Sequence, residues 1–246
     1  MKKTIIELKG AEKYYKMGET IVKALDCVNL KIEEGDFVAI MGPSGSGKST
    51  AMNLTGSLDL TTKGDIYLKG ENIEKLGESE LAQLRGKKIG FIFQQFNLIP
   101  NLTAKENVML PMLFQGINRE NREERAEKLL RAVDLEDRMD HYPNQLSGGQ
   151  QQRVAIARSL SNKPDIILAD EPTGNLDTKT GEKVMTFLDD LNQKGRTIII
   201  VTHDPEVARK HAKTLYSLRD GKVESYEKKT NGKWKKQKPD DCIKNK

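Results

Sequence analysis

The sequence contains no apolar run long enough to cross a membrane. Its longest apolar runs are Phe37–Met41, Ile166–Ala169 and Ile198–Val201, far below the roughly 20 apolar residues that a membrane-spanning helix needs. Met1 is followed by two lysines, as in a signal peptide, but Glu7 and further charged residues leave no apolar segment behind them. We therefore expect a chain that stays in the cytoplasm and has no transmembrane segment of its own.

Aromatic and cysteine residues are also scarce. Aromatic residues make up 5% of the chain and charged residues 31%, a balance typical of a soluble globular protein. The two cysteines, Cys27 and Cys242, form no CxxC motif and need not be partners. We therefore expect neither a cysteine-based metal centre nor a disulfide framework. The length of 246 residues suits one large α/β domain, or a core with a modest inserted subdomain.

The excess of positive charge is concentrated at the end of the chain. Of the net charge of +5, residues 1–223 carry only +1, because residues 224–246 contain eight lysines against four acidic residues. We expect 224–246 to be a largely unstructured basic tail. It would keep the protein soluble or, alternatively, be attracted to anionic lipid head groups by up to about 1 kcal/mol per lysine. Because so little excess charge remains elsewhere, we expect no nucleic-acid partner.

Predicted strands alternate with predicted helices along most of the chain. The segments Ile5–Leu8 and Ala24–Ile32 are expected to be half-buried strands, and the continuous apolar run Phe37–Met41 a fully buried parallel strand. This alternation predicts a doubly wound parallel sheet flanked by helices, interrupted by an inserted helical subdomain. The predicted boundaries are 1–96 and 163–223 for the core with its β subdomain, and 97–162 for the helical subdomain.

A glycine-rich motif follows the strand Phe37–Met41 and opens a helix. It matches the pattern G-x-x-x-x-G-K-[ST] of phosphate-binding loops. Glycines let backbone N–H groups close around phosphate oxygens, and the helix N-terminus adds partial positive charge. We expect Lys48 to reach the β- and γ-phosphates and Ser49 to ligate Mg²⁺. The predicted nucleotide-binding residues are Gly42, Pro43, Ser44, Gly45, Ser46, Gly47, Lys48, Ser49 and Thr50.

Two adjacent acidic residues, Asp170 and Glu171, stand at the end of another apolar strand. Ligands of open α/β sheets bind at the carboxyl ends of such strands. We expect Asp170 to hold Mg²⁺, directly or through water, and Glu171 to reach the water that attacks the γ-phosphate. Together with the phosphate loop, this pair predicts an enzyme that hydrolyses a nucleoside triphosphate.

A third motif reads Leu146-Ser147-Gly148-Gly149-Gln150 and lies upstream of the acidic pair. With the phosphate loop, it makes residues 4–223 resemble the ATP-binding cassette family. Ser147 and Gln150 also have the spacing of a capping box that opens a helix through Ser161. Both interpretations can hold, because a helix N-terminus with two glycines is an anion site. In the family, this motif grips the γ-phosphate of ATP bound by the other protomer.

The same resemblance implies roles for residues outside these motifs. Tyr15 corresponds to the aromatic residue that stacks on adenine, with its neighbour Tyr14 as the alternative. Gln94 corresponds to the glutamine that ligates Mg²⁺ and links the core to the helical subdomain, with Gln95 as the alternative. His203 corresponds to the histidine that contacts the γ-phosphate. The loop that contacts the opposite protomer corresponds to Asn175, Leu176 and Asp177.

The resemblance implies a complete catalytic arrangement. The fold would be a P-loop nucleotide-hydrolase core with an N-terminal antiparallel β subdomain and an inserted helical subdomain. Two copies of the chain would bind two MgATP between them, each held by the phosphate loop of one subunit and by Ser147–Gln150 of the other. Glu171 would act as general base, with His203 and Lys48 supporting phosphoryl transfer.

Three stretches, 15–19, 93–100 and 101–107, resemble a subgroup with lipoprotein-releasing, macrolide-export and cell-division ATPases. This resemblance implies an integral membrane permease as partner, so that the protein would lie at the inner face of the cell membrane. One alternative is a soluble cassette protein that acts on DNA. Such proteins usually carry a long coiled coil between the phosphate loop and the third motif, and here the stretch from Lys48 to Leu146 has no sustained heptads. Another is a ribosome-associated protein, which generally has two cassettes. A GTPase or metabolic kinase shares only the phosphate loop.

Overall fold

The computed structural model describes residues 3–238, and the chain divides into two compact units. The first unit combines Met1–Leu81 with Leu191–Lys246, and the second consists of Ala82–Asp190. The second unit is larger than the predicted helical subdomain at 97–162, because it also includes two strands and parts of two flanking helices.

The first unit is built mainly from strands. Its elements are β1 (Thr4–Met17), β2 (Thr20–Glu33), β3 (Phe37–Met41), α1 (Lys48–Thr55), β4 (Lys63–Leu68), β5 (Glu71–Asn72), β8 (Thr197–Thr202), α7 (Pro205–His211), β9 (Thr214–Arg219), β10 (Lys222–Thr230) and β11 (Lys233–Gln237). One sheet is antiparallel, with the strand order β2-β1-β4-β5. In the other, the order is β11-β10-β9-β3-β8, and β3 pairs in parallel with both of its neighbours.

The predicted buried strand Phe37–Met41 is β3, and its bounds agree with the prediction. Its first four residues are fully buried, so neither face has the polar residues that would produce an alternating pattern. The register places Met41 opposite Thr202 of β8. The segments that follow β3 and β8 therefore leave the sheet at the same edge.

Regular secondary structure continues beyond residue 223, the predicted end of the folded domain. Residues 222–237 form β10 and β11, with β10 antiparallel to β9 and β11 antiparallel to β10. The prediction of an unstructured segment was therefore wrong over 224–237. The part of the predicted tail at 239–246 lies outside the described residues.

Aromatic contacts anchor this C-terminal hairpin. The rings of Tyr226 and Tyr216 stack with their centroids 4.6 Å apart. Arg209 of α7 pairs with Glu227 at 3.0 Å, and its guanidinium lies 5.4 Å from the centre of the Trp234 ring. These anchors were not predicted, because lysine predominates in the composition of the segment.

The second unit places helices around a parallel pair of strands. Its elements are α2 (Glu78–Lys88), β6 (Ile89–Ile92), α3 (Ala104–Phe114), α4 (Arg119–Ala132), α5 (Gly148–Ser159), β7 (Ile166–Asp170) and α6 (Thr178–Gln193). Strands β6 and β7 pair in parallel. A Cβ atom on Gly90 of β6 would clash with the carbonyl oxygen of Ser159, so the glycine allows α5 to lie close to β6.

Two capping boxes open helices of the second unit, and the sequence predicts both, because Thr103 and Glu106 have the same spacing as Ser147 and Gln150. Thr103 and Glu106 cap α3 reciprocally, and Ser147 and Gln150 do the same for α5. Both predictions are confirmed. Helix α2 was not predicted, because its only buried residue is Leu81 and one buried position gives no helical period.

The cysteines depart from an expectation made from composition. Cys27 is disulfide-bonded, so the expectation that the chain has no disulfide was wrong, and Cys242 lies outside the described residues. Over residues 3–238, every helix is too short or too polar to cross a bilayer.

Candidate functional site

The phosphate loop connects β3 to α1 in the first unit. Gly47 is the N-cap of α1, has φ 97°, and provides no side-chain capping hydrogen bond. The first N–H groups of a helix have no partner within the helix. In α1 these groups therefore point outward without a side-chain acceptor, beside Gly45 with φ 78°. This is the backbone geometry that binds phosphate oxygens.

Neighbouring backbone explains why glycine is needed in this loop. A Cβ atom on Gly47 would lie 2.5 Å from the carbonyl oxygen of Ala24, and one on Gly42 would clash with the carbonyl oxygen of Leu218. The Ser46 hydroxyl is buried and has no hydrogen-bond partner among the described residues. The backbone at Ala24 and Leu218 thus packs closely against one side of the loop.

Lys48 and Ser49, predicted to contact the phosphates and Mg²⁺, stand at the start of α1. The Lys48 ammonium donates a hydrogen bond to the carbonyl oxygen of Pro43 at 2.7 Å, which holds the side chain across the loop. Ser49 is exposed in the first turn of the helix. Both side chains are therefore next to the outward-facing N–H groups.

His203 emerges at the same sheet edge as the phosphate loop. It directly follows β8, whose last residue Thr202 lies opposite Met41 of β3. Asp204 then caps α7 by accepting hydrogen bonds from the N–H groups of Glu206 and Val207. His203 is exposed and stands at this edge of the sheet.

The two candidate tyrosines have different surroundings. The hydroxyl of Tyr14 donates to Glu12 at 2.7 Å, and this bond, with burial and nearby negative charge, raises the pKa of Tyr14 to about 12. The Tyr15 hydroxyl donates to Asp59 at 3.1 Å, and Tyr15 is 37% exposed. Partial burial and the bond to Asp59 raise the pKa of Tyr15. This exposure favours Tyr15 over Tyr14 as a surface on which a base could stack.

The predicted general base stands on a strained turn of the second unit. Glu171 follows β7 and has φ 42°, a left-handed conformation that costs a non-glycine residue about 1–2 kcal/mol. Its carbonyl oxygen accepts a hydrogen bond from the N–H of Gly174 at 3.0 Å. We call residues 171–174 the catalytic turn. Non-glycine residues keep such backbone strain where the surrounding structure holds them in place, commonly at functional sites.

Gln94 contacts the side chain of Glu171. Its amide nitrogen donates to a carboxylate oxygen at 3.3 Å, which leaves the amide oxygen of Gln94 for a cation. Asn175 holds the residue from the other side, because its amide donates to the backbone carbonyl of Gln94 at 2.8 Å. The structure thus brings together Gln94, the catalytic turn and the predicted dimer loop.

The third motif forms the N-terminus of α5. The Ser147 hydroxyl accepts from the N–H of Gln150 at 3.3 Å, and the Gln150 side chain accepts from the N–H of Ser147 at 2.8 Å. A Cβ atom on Gly149 would lie 2.7 Å from Cγ2 of Thr180, whereas one on Gly148 would meet only Phe96, at 3.8 Å. Gly149 is therefore required for packing against α6, but Gly148 is not.

One groove of about 840 Å³ joins this motif to the predicted dimer loop. Its lining includes residues of both Ser147–Gln150 and Asn175–Asp177, together with the exposed side of α6. A hydrogen bond from Thr180 lowers the pKa of Asp177, so this carboxylate keeps its negative charge. Two segments that are 25 residues apart in the sequence therefore form one surface.

Comparison with known proteins identifies the family. The family model described as "ABC transporter" matches residues 25–174, which include the phosphate loop, the third motif and the acidic pair. The chain belongs to the ABC transporter family. It is an ATP-binding cassette with ATPase activity, and the resemblance inferred from its motifs is confirmed.

Relatives with similar sequences cover nearly the whole cassette. The chain is 56% identical over 229 residues to the uncharacterised ABC transporter ATP-binding protein MJ0796 of Methanocaldococcus jannaschii, covering 91% of this chain and 97% of the relative. It is 51% identical over 226 residues to the macrolide export ATP-binding/permease protein MacB of Bdellovibrio bacteriovorus, covering 91% of this chain but 34% of MacB.

Solved structures confirm the fold of the cassette. A dimeric structure of MJ0796 in a post-hydrolysis state bound to ADP and Pi has a TM-score of 0.85 and 54% identity, with 91% of this chain and 98% of that chain covered. The predicted P-loop hydrolase core, with its antiparallel β subdomain and helical insert, is therefore confirmed.

Motif reasoning missed two residues that support the cassette's predicted site. Asp59 accepts hydrogen bonds from Tyr15 and from Lys13, the latter at 2.6 Å. Gln152 reaches the catalytic turn from α5. Neither belongs to a recognisable pattern, since each acts through a contact between distant segments.

Proposed function

We propose that two copies of this cassette bind two MgATP between them and that hydrolysis drives a separate membrane permease. The observation that carries the proposal is the groove shared by Ser147–Gln150 and Asn175–Asp177. These are the segments expected to meet a second subunit, and here they form one surface. The dimeric state of the similar MJ0796 cassette supports the same arrangement.

Mg²⁺ would be held by a few protein oxygens together with the phosphates of the nucleotide. Ser49, Gln94 and Asp170 supply a hydroxyl, an amide oxygen and a carboxylate, which are ligands that Mg²⁺ prefers. Over residues 3–238 no group of three or more His, Cys, Asp or Glu could hold a metal alone. Such a set fits a cation that arrives with ATP, which would neutralise phosphate charge during the reaction.

Hydrolysis would depend on three side chains. Glu171 would accept a proton from the attacking water, and its bond to Gln94 would hold the carboxylate in place. Lys48 would neutralise charge on the β- and γ-phosphates. His203, which leaves the sheet beside the phosphate loop, would support the γ-phosphate.

A membrane permease of the export, lipoprotein-release or mechanotransmission type is the proposed partner. Support comes from the likeness to MacB, whose name combines ATP-binding and permease functions. Leu113 and Phe114 at the end of α3 are 49% and 69% exposed. The next residue of the chain, Gln115, lines a groove with the basic side chains Lys87, Arg125, Lys128 and Lys163. This surface would receive a cytoplasmic segment of the permease and hold the cassette at the inner face of the membrane.

The Glu171→Gln variant tests the ATPase part of the proposal. It keeps the shape of the side chain but removes the base, so we expect ATP binding, very slow hydrolysis and accumulation of a dimer on size-exclusion chromatography with MgATP. Lys48→Ala in the same assay should stay monomeric because it loses nucleotide affinity. Normal turnover by Glu171→Gln, or a strictly monomeric ATP-bound form, would contradict the proposal.

A pull-down tests the permease part. Tagged Glu171→Gln chain with MgATP is incubated with detergent-solubilised membranes of the native host, and captured proteins are identified by mass spectrometry. We expect a multi-span membrane protein with a large extracytoplasmic domain, and we expect Phe114→Asp to lose it. Capture of only ribosomes or DNA-bound proteins would instead support a cassette without a membrane partner.

A further inference from the structure

The catalytic turn is held by a side chain from the helix that begins with the third motif. Gln152 lies one turn into α5, and its amide nitrogen donates to the carbonyl oxygen of Pro172 at 2.8 Å. Pro172 follows Glu171 directly and is buried. Without this donor, its carbonyl group would be buried and unsatisfied within one residue of the predicted base.

Stability alone does not explain a glutamine at this position. Gln152 is 1% exposed, and its amide oxygen has no hydrogen-bond partner among the described residues. The amide orientation is fixed, because the atom facing the Pro172 carbonyl oxygen must be the donor. A buried acceptor without a partner destabilises the fold, so this glutamine is a poor choice for packing. Residues that break such local rules are expected at functional sites.

We propose that Gln152 is a positioning residue for Glu171. Its bond to Pro172 fixes the strained catalytic turn, so that the carboxylate is presented to the attacking water. The same helix carries Ser147–Gln150 at its N-terminus. If that N-terminus grips the γ-phosphate in the other site of a dimer, α5 connects the nucleotide of one site to the base of the other. This connection rests on the proposed function.

The test compares variants that keep the volume of the side chain. Gln152→Met removes both polar atoms of the amide. The loss of the unpartnered oxygen favours the fold, whereas the Pro172 carbonyl group left without its donor disfavours it, so we expect the thermal unfolding temperature to change little. We also expect kcat for ATP hydrolysis to fall about three- to tenfold, as for the loss of one hydrogen bond, while KM for ATP stays within about twofold of the original value. Gln83→Met, the same change at an exposed position of α2, should leave kcat, KM and stability unaltered.

A second variant gives a readout that a packing role would not change. Gln152→Glu places a carboxyl group at the same site, and burial raises the pKa of such a group. Its protonated form can donate to Pro172, but its ionised form cannot. We therefore expect the ratio of variant to wild-type kcat to be highest at low pH and to decrease as pH rises, whereas the ratio for Gln152→Met stays constant.

Dimer formation separates this proposal from the proposed function. In the Glu171→Gln background, adding Gln152→Met should leave the MgATP-dependent dimer intact, since the N-terminus of α5 is unchanged. Full kcat in Gln152→Met, or a loss of dimer equal to the loss of kcat, would overturn the positioning role. Failure of Glu171→Gln alone to form the dimer would refute the proposed function instead.

Discussion

The requirement for glycine at position 149 can be tested separately from any role in nucleotide binding. A Cβ atom there would lie 2.7 Å from Cγ2 of Thr180, closer than carbon atoms approach without displacement. Overpacking of this kind costs about 1–3 kcal/mol, and alanine regains about 0.5–1 kcal/mol over glycine within a helix. We therefore expect Gly149→Ala to lower the free energy of unfolding by about 1–2 kcal/mol.

A second substitution, at Thr180, should restore the stability that Gly149→Ala loses. Thr180→Ser removes Cγ2 but keeps the hydroxyl that bonds to Asp177. The remaining Thr180 atoms, Oγ1 and Cβ, would be 3.6 and 3.7 Å from the new Cβ, which is ordinary contact. The double variant should thus recover most of the lost stability. Gly148→Ala is the matched control, since its Cβ would be 3.8 Å from Phe96 and it should not destabilise the protein.

Thermal unfolding is the assay for stability, and ATP-driven dimer formation is the assay for function. At about 2–4 °C per kcal/mol for a chain of this size, Gly149→Ala should lower the unfolding midpoint by about 2–8 °C. If Gly149 also lets phosphate approach α5, the double variant regains stability without regaining the dimer. Equal stability of Gly149→Ala and Gly148→Ala, or no recovery with Thr180→Ser, would refute the packing argument.

Two further predictions concern the first unit. The pKa of Tyr14 is raised from 10 to about 12, mainly by its bond to Glu12. The protonated hydroxyl therefore stabilises the folded protein below pH 10, and this contribution to the free energy of unfolding is lost as the pH rises through 12. Urea unfolding should show that Tyr14→Phe loses less stability than wild type between pH 10 and 12, and equal losses would exclude this effect. Arg209→Met should lower the free energy of unfolding by about 1 kcal/mol, because it loses the contacts with Glu227 and Trp234. The control Arg219→Met, which breaks an exposed ion pair, should have almost no effect. Similar losses of stability in both variants would show that Arg209 does not anchor the hairpin.

Sequence reasoning succeeded where one local pattern determines the structure. The uninterrupted apolar residues of β3 and the capping boxes of α3 and α5 each contain, within a few residues, the interactions that form them. The phosphate loop is similar at Gly45 and Gly47, because their positive φ angles favour glycine whatever packs around the loop. Such features can be predicted without knowing what packs around them.

The rest of the site depends on contacts between segments that are distant in the sequence. The bond from Asn175 to Gln94 spans 81 residues, and the bond from Gln152 to Pro172 joins a helix to a turn beyond β7. Neither residue type indicates its partner in advance. The C-terminal hairpin was missed for a related reason, because Tyr226 and Trp234 acquire their anchoring role only once Tyr216 and Arg209 are placed beside them.

The lysines of β11 have a consequence for behaviour at high concentration. This strand ends the sheet, and in the part of the chain that the structure describes no strand pairs with its outer side. Three of its five residues are lysines, and a second chain adding here as a further strand would bring like charges together and remove their hydration. The charges of β11 therefore disfavour the addition of a second chain at this edge and with it fibril-like stacking of strands.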